Sequence, residues 1–332
     1  MTENGMYKAI MEFPAQFSYQ PVVENASRLQ RKKKVLVVGM GGSHLAANIL
    51  QAWKPSLQLT VHSDYGFPAR LEEELRETLI IASSYSGTTE EVIDAYKHAV
   101  GKGYAVAAIS LGKTLIDLAQ RDGVPYVQMP DTNIQPRSAL GLSIMGHLAL
   151  LGDEAGTNEA TALAKQLNVP QAQEEGKRLA SVLANKVPII YSSTRNQAVA
   201  YNWKIKFNET GKIPAFYNII PELNHNEMTG FDARGGTKAL AEHFHWIFLM
   251  DDEDHPSNKA RMEILAQLLR ERGLSVEMQQ IAGRSRFEKI FSSILIADWC
   301  SYDTAEQYGV EAEQVPMVEQ FKKLVEQKTR SS

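Results

Sequence analysis

Between Ser84 and Thr89 the chain reads Ser-Tyr-Ser-Gly-Thr-Thr, followed by Glu90 and Glu91. Four hydroxyls and a glycine thus fall within six residues at the start of a helical stretch. N-capping accounts for one or two of them, because Ser and Thr oxygens accept hydrogen bonds from free first-turn N–H groups. Thr88 with Glu91 also has capping-box spacing. Four hydroxyls exceed what a cap uses, and the surplus suits a phosphate monoester, held by hydroxyl and amide donors without metal or lysine. A second turn, Gly39-Met40-Gly41-Gly42-Ser43, leads into a helical run from His44 to Trp53. Its glycines let backbone N–H groups approach an anion at a helix N-terminus. His44 stands where a dinucleotide fingerprint needs its third glycine, and no Gly-Lys-Ser/Thr follows, so neither that motif nor a Walker loop is present. Alone, this turn serves equally well as a structural connection. In Asn133–Ala139, Pro136 sets up a helix start with Arg137 beside it, able to reach an anion. Without the other two turns, a surface arginine is the simpler reading.

The second half of the chain supplies acid–base groups. Asn202–Gly211 reads as a helix with Gly211 as its C-cap and Glu209 in its last turn. There the negative end of the helix dipole opposes a carboxylate by roughly 0.3–1 kcal/mol, a sign that raises its pKa and suits a general base. Pro221–Glu227 places His225 between polar residues after a strand, and histidine is the side-chain type suited to shuttling protons. His243, His245 and the run Asp251–His255 admit a metal reading, but a solvated turn after a strand accounts for them more simply. Trp299 and Tyr302 read as core, and Cys300 as inert.

These residues need a frame. Val35–Gly39 is a continuous β-branched run without alternation, as expected for a strand buried on both faces of a parallel sheet. Short apolar runs recur at Leu57–His62, Leu79–Ser83, Ala105–Ser110 and Val124–Gln128, separated by helical stretches at Glu90–Gly101 and Lys113–Arg121. Alternation of this kind predicts a parallel α/β sheet with right-handed crossovers. All three turns then lie at the carboxyl edge, where such sheets bind ligands. Residues 1–30 read as short amphipathic helices. Residues 136–184 show no strand signal, and Gly152–Asn158 is the expected domain boundary. A second series follows with strands at Val187–Tyr191, Ile213–Tyr217, Phe244–Met250 and Ser275–Gln279, and helices near 196–208, 256–272, 285–307 and 316–327.

Composition sets the outer limits. A length of 332 residues suggests about two domains. With 44% apolar and 22% charged residues the chain has ample core material. A net charge of −4 argues against a general nucleic-acid binder. No apolar run reaches the ~18–20 residues that cross a bilayer, and the N-terminus lacks a signal-peptide pattern. A single cysteine excludes internal disulfides and thiolate clusters and fits a reducing cytoplasm.

Together these features resemble the sugar isomerase (SIS) family, and within it the bifunctional phosphoglucose/phosphomannose isomerase branch of the phosphoglucose isomerase superfamily. The resemblance rests on Gly41-Gly42-Ser43, Ser84–Thr89, Gln135-Pro136-Arg137, Asn208-Glu209, Asn224-His225-Asn226 and Phe321-Lys322, and it covers nearly the whole chain. It implies two flavodoxin-like parallel-sheet domains flanked by helices. Residues 1–152 would form a phosphate-binding SIS domain, and 153–332 linker helices, a second SIS domain and a C-terminal helix. Ser43, Ser84, Ser86 and Thr89 would hold the phosphate, with the backbone of Gly41 and Gly42 close to the sugar. Arg137 would stabilise negative charge near C1 and C2. Glu209 would move the proton through a cis-enediol, His225 of the partner subunit would open the ring, and Lys322 would assist near the ring oxygen. The implied enzyme is a cytoplasmic homodimer with a shared active site that interconverts glucose 6-phosphate, fructose 6-phosphate and mannose 6-phosphate without metal or organic cofactor. The branch carries a Thr before its terminal lysine, with a role in rotation about C2–C3. Here Gly309–Lys322 contains no hydroxyl residue.

Two other classes fit less well. A non-catalytic phosphosugar sensor would carry a DNA-binding module, for which the roughly 34 residues before the first strand are too few. Amidotransfer would need a nucleophilic N-terminal cysteine, and Cys300 is misplaced for that.

Overall fold

The apolar run at Val35–Val38 becomes an interior strand because helices cover both faces of its sheet. The computed structural model describes residues 5–330, so residues 1–4 and 331–332 of the expected terminal segments lie outside it. The first sheet contains β1 (Val23–Glu24), β2 (Lys34–Val38), β3 (Gln58–His62), β4 (Thr78–Ser83), β5 (Ala105–Ser110) and β6 (Tyr126–Gln128). Its strand order is β1-β6-β5-β4-β2-β3. All neighbours pair in parallel except β1, which runs antiparallel to β6 along the edge. The second sheet contains β7 (Val187–Ser193), β8 (Phe216–Ile220), β9 (Phe244–Asp251) and β10 (Ser275–Ile281) in the parallel order β10-β9-β7-β8. Both sheets share one flavodoxin-like winding, in which the first parallel strand lies between the second and the third.

Two expectations shift. The leading segment forms α1 (Gly5–Met11) and 3-10 turns at Phe13–Ser18 and Ala26–Arg28, yet also supplies β1, whose backbone pairs with β6 without any apolar periodicity of its own. The strand expected at Ile213–Tyr217 starts later, at Phe216. Ile213 is held in a turn, where its N–H donates to Phe207 O at 3.2 Å and its carbonyl accepts from Asn208 Nδ2 at 3.0 Å.

In the first half the strands are joined through α2 (Gly42–Trp53), α3 (Glu72–Arg76), α4 (Glu90–Gly101) and α5 (Lys113–Asp122). The strand-free stretch forms α6 (Leu140–Leu151), α7 (Glu154–Gln166) and α8 (Val169–Val182). The second half adds α9 (Gln197–Glu209), α10 (Glu227–Gly230), α11 (Lys238–Ala241), α12 (Pro256–Glu271), α13 (Arg286–Tyr308) and α14 (Pro316–Arg330). One apolar core runs through both halves, with Phe17, Leu45 and Ile144 in the same cluster as Trp203, Phe291 and Trp299. Smaller clusters cover the outer faces of each sheet, around Ile80 and Tyr96 in one and Trp246 and Phe248 in the other. The two halves are therefore docked, and any site between them is held on both sides. Among the described residues, no helix is long and apolar enough to cross a membrane.

Two histidines lie in these cores. His147 on α6 is fully buried with its Nδ1 on Ser143 O at 2.8 Å, and His245 on β9 places Nδ1 on Ser275 Oγ at 2.7 Å. Burial pushes each pKa down from 6.5 to about 4. As pH falls below 6.5 the unfolded chain takes up these protons while the folded chain does not, so stability is lost between about pH 6.5 and 4. The loss is about 1.4 kcal/mol per histidine per pH unit. Urea unfolding at pH 7 and pH 5 should show it, with a smaller drop in His147→Gln.

Candidate active site

The serine/threonine turn leaves β4 and bends back on itself. Ser84 Oγ shares a hydrogen bond with Thr89 Oγ1 at 2.8 Å and accepts the Gly87 N–H at 3.1 Å. Ser86 Oγ lies 3.2 Å from Thr88 Oγ1. The helix begins at Glu90 with Thr89 as N-cap and no side-chain capping bond, so the capping box expected from Thr88 and Glu91 does not form. The hydroxyls bond to one another instead, in a loop closed on the N-terminus of α4. Gly87 has φ +75°, and a Cβ there would lie 1.9 Å from Gly112 O, so only glycine closes this turn. Alongside it, Ser43 Oγ accepts the Tyr85 N–H at 2.8 Å and Ser83 Oγ donates to Ser43 O at 2.8 Å. These bonds lock the β2 and β4 turns together, so the N-termini of α2 and α4 open onto one edge.

Arg137 stands where this cradle meets the second half. Gly42 packs on the turn that carries it: a Cβ at Gly42 would lie 2.8 Å from Pro136 Cβ and 3.1 Å from Arg137 N. The Arg137 side chain is 1% exposed, which corrects the alternative of a surface arginine. Its Nε donates to Thr210 Oγ1 at 2.9 Å, and its Nη2 to Ala312 O at 2.9 Å and Glu313 O at 2.7 Å. Nη1 faces Glu209 Oε2 at 3.4 Å. Burial lowers the Arg137 pKa, while Glu209, Asp298, Glu313 and Glu311 push it back up, and a guanidinium stays charged throughout. The carboxylate thus faces a fixed cation as well as the helix dipole.

A second tier holds this pair. Lys206 Nζ donates to Arg137 O at 2.7 Å and lies 2.7 Å from Asp298 Oδ1, with both side chains buried. Lys212 Nζ donates to Glu209 O at 2.5 Å and to Gln314 O. Lys212, with φ +56°, takes the left-handed position that the sequence assigned to Gly211. None of Lys206, Asp298, Thr210 and Lys212 was singled out from sequence. Two had a signal: Lys206 shares a helical face with Val199 and Trp203, and Asp298 interrupts the apolar run Leu295–Cys300. A charge on a buried face requires a partner.

The carboxyl edge of the second sheet is chemically different. Where β4 is followed by hydroxyls, the corresponding strand β9 ends in Asp251 and runs into Asp252, Glu253 and Asp254. Asp251 accepts from Arg286 Nη1 at 2.8 Å and Lys289 Nζ at 3.0 Å, and Asp254 from Ser193 Oγ at 2.5 Å. Asp251 and Asp254 are therefore buried and bonded to the chain's own groups, while Asp252 and Glu253 stay on the solvated side of the turn, paired with Lys289. His255 caps α12, accepting the Ser257 N–H at 3.1 Å. Among the described residues no three His, Cys, Asp or Glu side chains are grouped to hold a metal. A cleft of about 550 Å³ between α2 and α9, lined by His44, Asn48, Arg195 and Tyr201 among others, lies beside the cradle but contains none of the candidate residues.

The remaining two candidates stand apart within one chain. His225 is exposed on the turn after β8, and Lys322, 61% exposed on α14, pairs with Glu319 at 2.8 Å. Ser43, Ser84, Ser86, Thr89, Gly41, Gly42, Arg137 and Glu209 are brought together; His225 and Lys322 are not.

A model of the bacterial phospho-glucose isomerase C-terminal SIS domain matches residues 172–325. The bifunctional phosphoglucose/phosphomannose isomerase of Caldicellulosiruptor bescii is 35% identical over 83% of this chain and 84% of that protein. This chain belongs to the bifunctional phosphoglucose/phosphomannose isomerase family. Its Aquifex aeolicus relative of the same name is 28% identical over 96% of this chain and 97% of its own length. The C-terminal domain of glucosamine-fructose-6-phosphate aminotransferase from Francisella tularensis superposes with a TM-score of 0.70 at 13% identity. It covers 93% of this chain and 98% of that one, which shows a common fold. The SIS fold read from the sequence is the fold observed. In this family member the Gly42 contact makes a direct prediction. Gly42→Ala should push the Pro136–Arg137 turn away from the cradle and weaken sugar-phosphate binding about 10-fold by calorimetry; unchanged affinity would separate the two turns functionally.

Proposed function

We propose that this chain interconverts fructose 6-phosphate with glucose 6-phosphate and with mannose 6-phosphate. The observation that carries the reading is the Arg137–Glu209 pair: a carboxylate and a buried cation 3.4 Å apart, fixed at the rim of a hydroxyl-rich cradle. Ser43, Ser84, Ser86 and Thr89, with the N–H groups of the two helix starts and the backbone at Gly41 and Gly42, hold the phosphate. The open-chain sugar then extends towards Arg137. Glu209 takes the proton from C2 of the aldose, and the negative charge that develops on the oxygens at C1 and C2 meets the Arg137 guanidinium. Passage of the hydroxyl proton from O2 to O1 and return of the carbon-bound proton to C1 give the ketose. Return to either face of C2 gives one or the other epimeric aldose. The proton moves between adjacent carbons, so no electron acceptor is used.

Ring opening precedes this step. A proton leaves the anomeric hydroxyl, the anomeric carbon's bond to the ring oxygen breaks, and the ring oxygen takes a proton. His225 of the partner subunit performs this transfer, with Lys322 beside the ring oxygen. Supporting a homodimer, the exposed His225 imidazole makes no hydrogen bond or ion pair within the described residues of its own chain, and α14 leaves Met317 and Phe321 81% and 66% exposed. The division at residues 152 and 153 separates the phosphate-binding half from the half that brings the base. A cytoplasmic location fits substrates whose charged phosphate keeps them from crossing a bilayer, and hexose 6-phosphate interconversion places the enzyme in glycolysis and gluconeogenesis. The segment Gly309–Lys322 offers Arg137 the carbonyls of Ala312 and Glu313, so its contact with the site is made by backbone and not by a hydroxyl side chain.

Glu209→Gln should lower kcat by about 10³-fold while sugar-phosphate binding stays within a few-fold; wild-type turnover would remove Glu209 from the mechanism. EDTA-treated enzyme supplied with fructose 6-phosphate should release both aldoses. Glucose 6-phosphate alone would restrict the enzyme to one epimer.

A further inference from the structure

We propose that Glu227 is a positioning residue for ring opening, fixing the turn from which His225 projects. This rests on the reading of His225 given above. Tyr191 on β7 and Asn218 on β8 are direct cross-strand partners, and their side chains take the two oxygens of one carboxylate. Tyr191 OH donates to Glu227 Oε1 at 2.5 Å, and Asn218 Nδ2 donates to Oε2. Neither partner is free to turn away. Asn218 Oδ1 accepts the Ile219 N–H at 2.8 Å, which orients its amide, and the buried Tyr191 ring packs edge-on against Phe248 at 5.4 Å. Burial and the Glu227 charge both raise the Tyr191 pKa, keeping the phenol a donor. Hydrogen bonds to a carboxylate are about twice as strong as neutral ones, and here both run from the sheet to the residue two places after His225.

The other side of the turn is anchored as well. Leu223 is fully buried in the apolar cluster of the second sheet. Asn226 Nδ2 donates to Glu222 Oε1 at 3.0 Å, and Asn226 Oδ1 accepts the Glu227 N–H at 2.6 Å. His225 therefore sits on a backbone clamped before and after it, while its imidazole remains exposed and unbonded within the described residues. An acid–base group that must reach across to a sugar ring needs this: a displacement of about 1 Å can cost about 100-fold in rate.

The test follows ring opening directly, as anomerisation of glucose 6-phosphate by exchange NMR, together with isomerisation of fructose 6-phosphate. Glu227→Gln should lower both rates by about 10-fold. KM and affinity for 5-phospho-D-arabinonate, an open-chain analogue of the enediolate, should stay unchanged, while Tm falls with the weakened clamp. Tyr191→Phe, which removes one of the two bonds, should move the same rates in the same direction by less, and serves if Glu227→Gln does not fold. Adding Glu227→Gln to His225→Gln should lower anomerisation no further, since the two act through one group. Wild-type anomerisation in Glu227→Gln, or a loss that adds fully to that of His225→Gln, would overturn the proposal. Wild-type anomerisation in His225→Gln itself would instead overturn the ring-opening role of His225.

Discussion

A buried guanidinium sets the terms for this structure. Arg137 is nearly inaccessible, and a charge withdrawn from water is tolerated only where hydrogen bonds and opposite charge replace its hydration. Its replacements come from two places: the end of α9, through Thr210 and Glu209, and the carbonyls of residues 312 and 313; Lys206, also on α9, holds the Arg137 backbone carbonyl. None of these belongs to the half of the chain that carries Arg137. The two halves must dock before the charge is satisfied, and once docked they hold the Glu209 carboxylate beside Arg137.

The same winding occurs twice, and its two carboxyl edges have taken opposite electrostatic characters. After β4 the chain offers hydroxyls and open helix N-termini, which attract an anion. After β9 it offers four consecutive acidic residues, bonded to Arg286, Lys289 and Arg195. The hydroxyl turns lie on the first half, and Glu209 at the end of α9 and the His225 turn after β8 lie on the second. Arg286, whose Nε also donates to Ala52 O at 3.2 Å, ties that acidic edge to α2 and so to the cradle half.

Much of this was legible in the order of residues. Unbroken β-branched runs marked the interior parallel strands, because a strand covered on both faces needs no polar alternation. The surplus of hydroxyls at Ser84–Thr89 was legible too, because a helix start uses at most two of them, and in the fold they bond to one another. Glu209 was visible as a carboxylate at the wrong end of a helix. The edge strand β1 and the late start of β8 were not legible, since each depends on a partner distant in sequence: β6 for one, Phe207 and the turn at Ile213 for the other.

What the sequence determined by itself was therefore local: most of the strands and helices, the turn that gathers hydroxyls at a helix start, and the helix that ends in a carboxylate. Only the tertiary structure decided that Arg137 is buried and that Glu209 faces it. It also decided that Lys206 and Asp298 stand behind them, and that Tyr191 and Asn218 share the carboxylate of Glu227. The physical reason is one of range. Helix propensity, strand burial and capping chemistry act over a few residues, whereas a buried charge is satisfied by whichever group the docked halves bring within 3 Å or so of it, however far away that group lies along the chain.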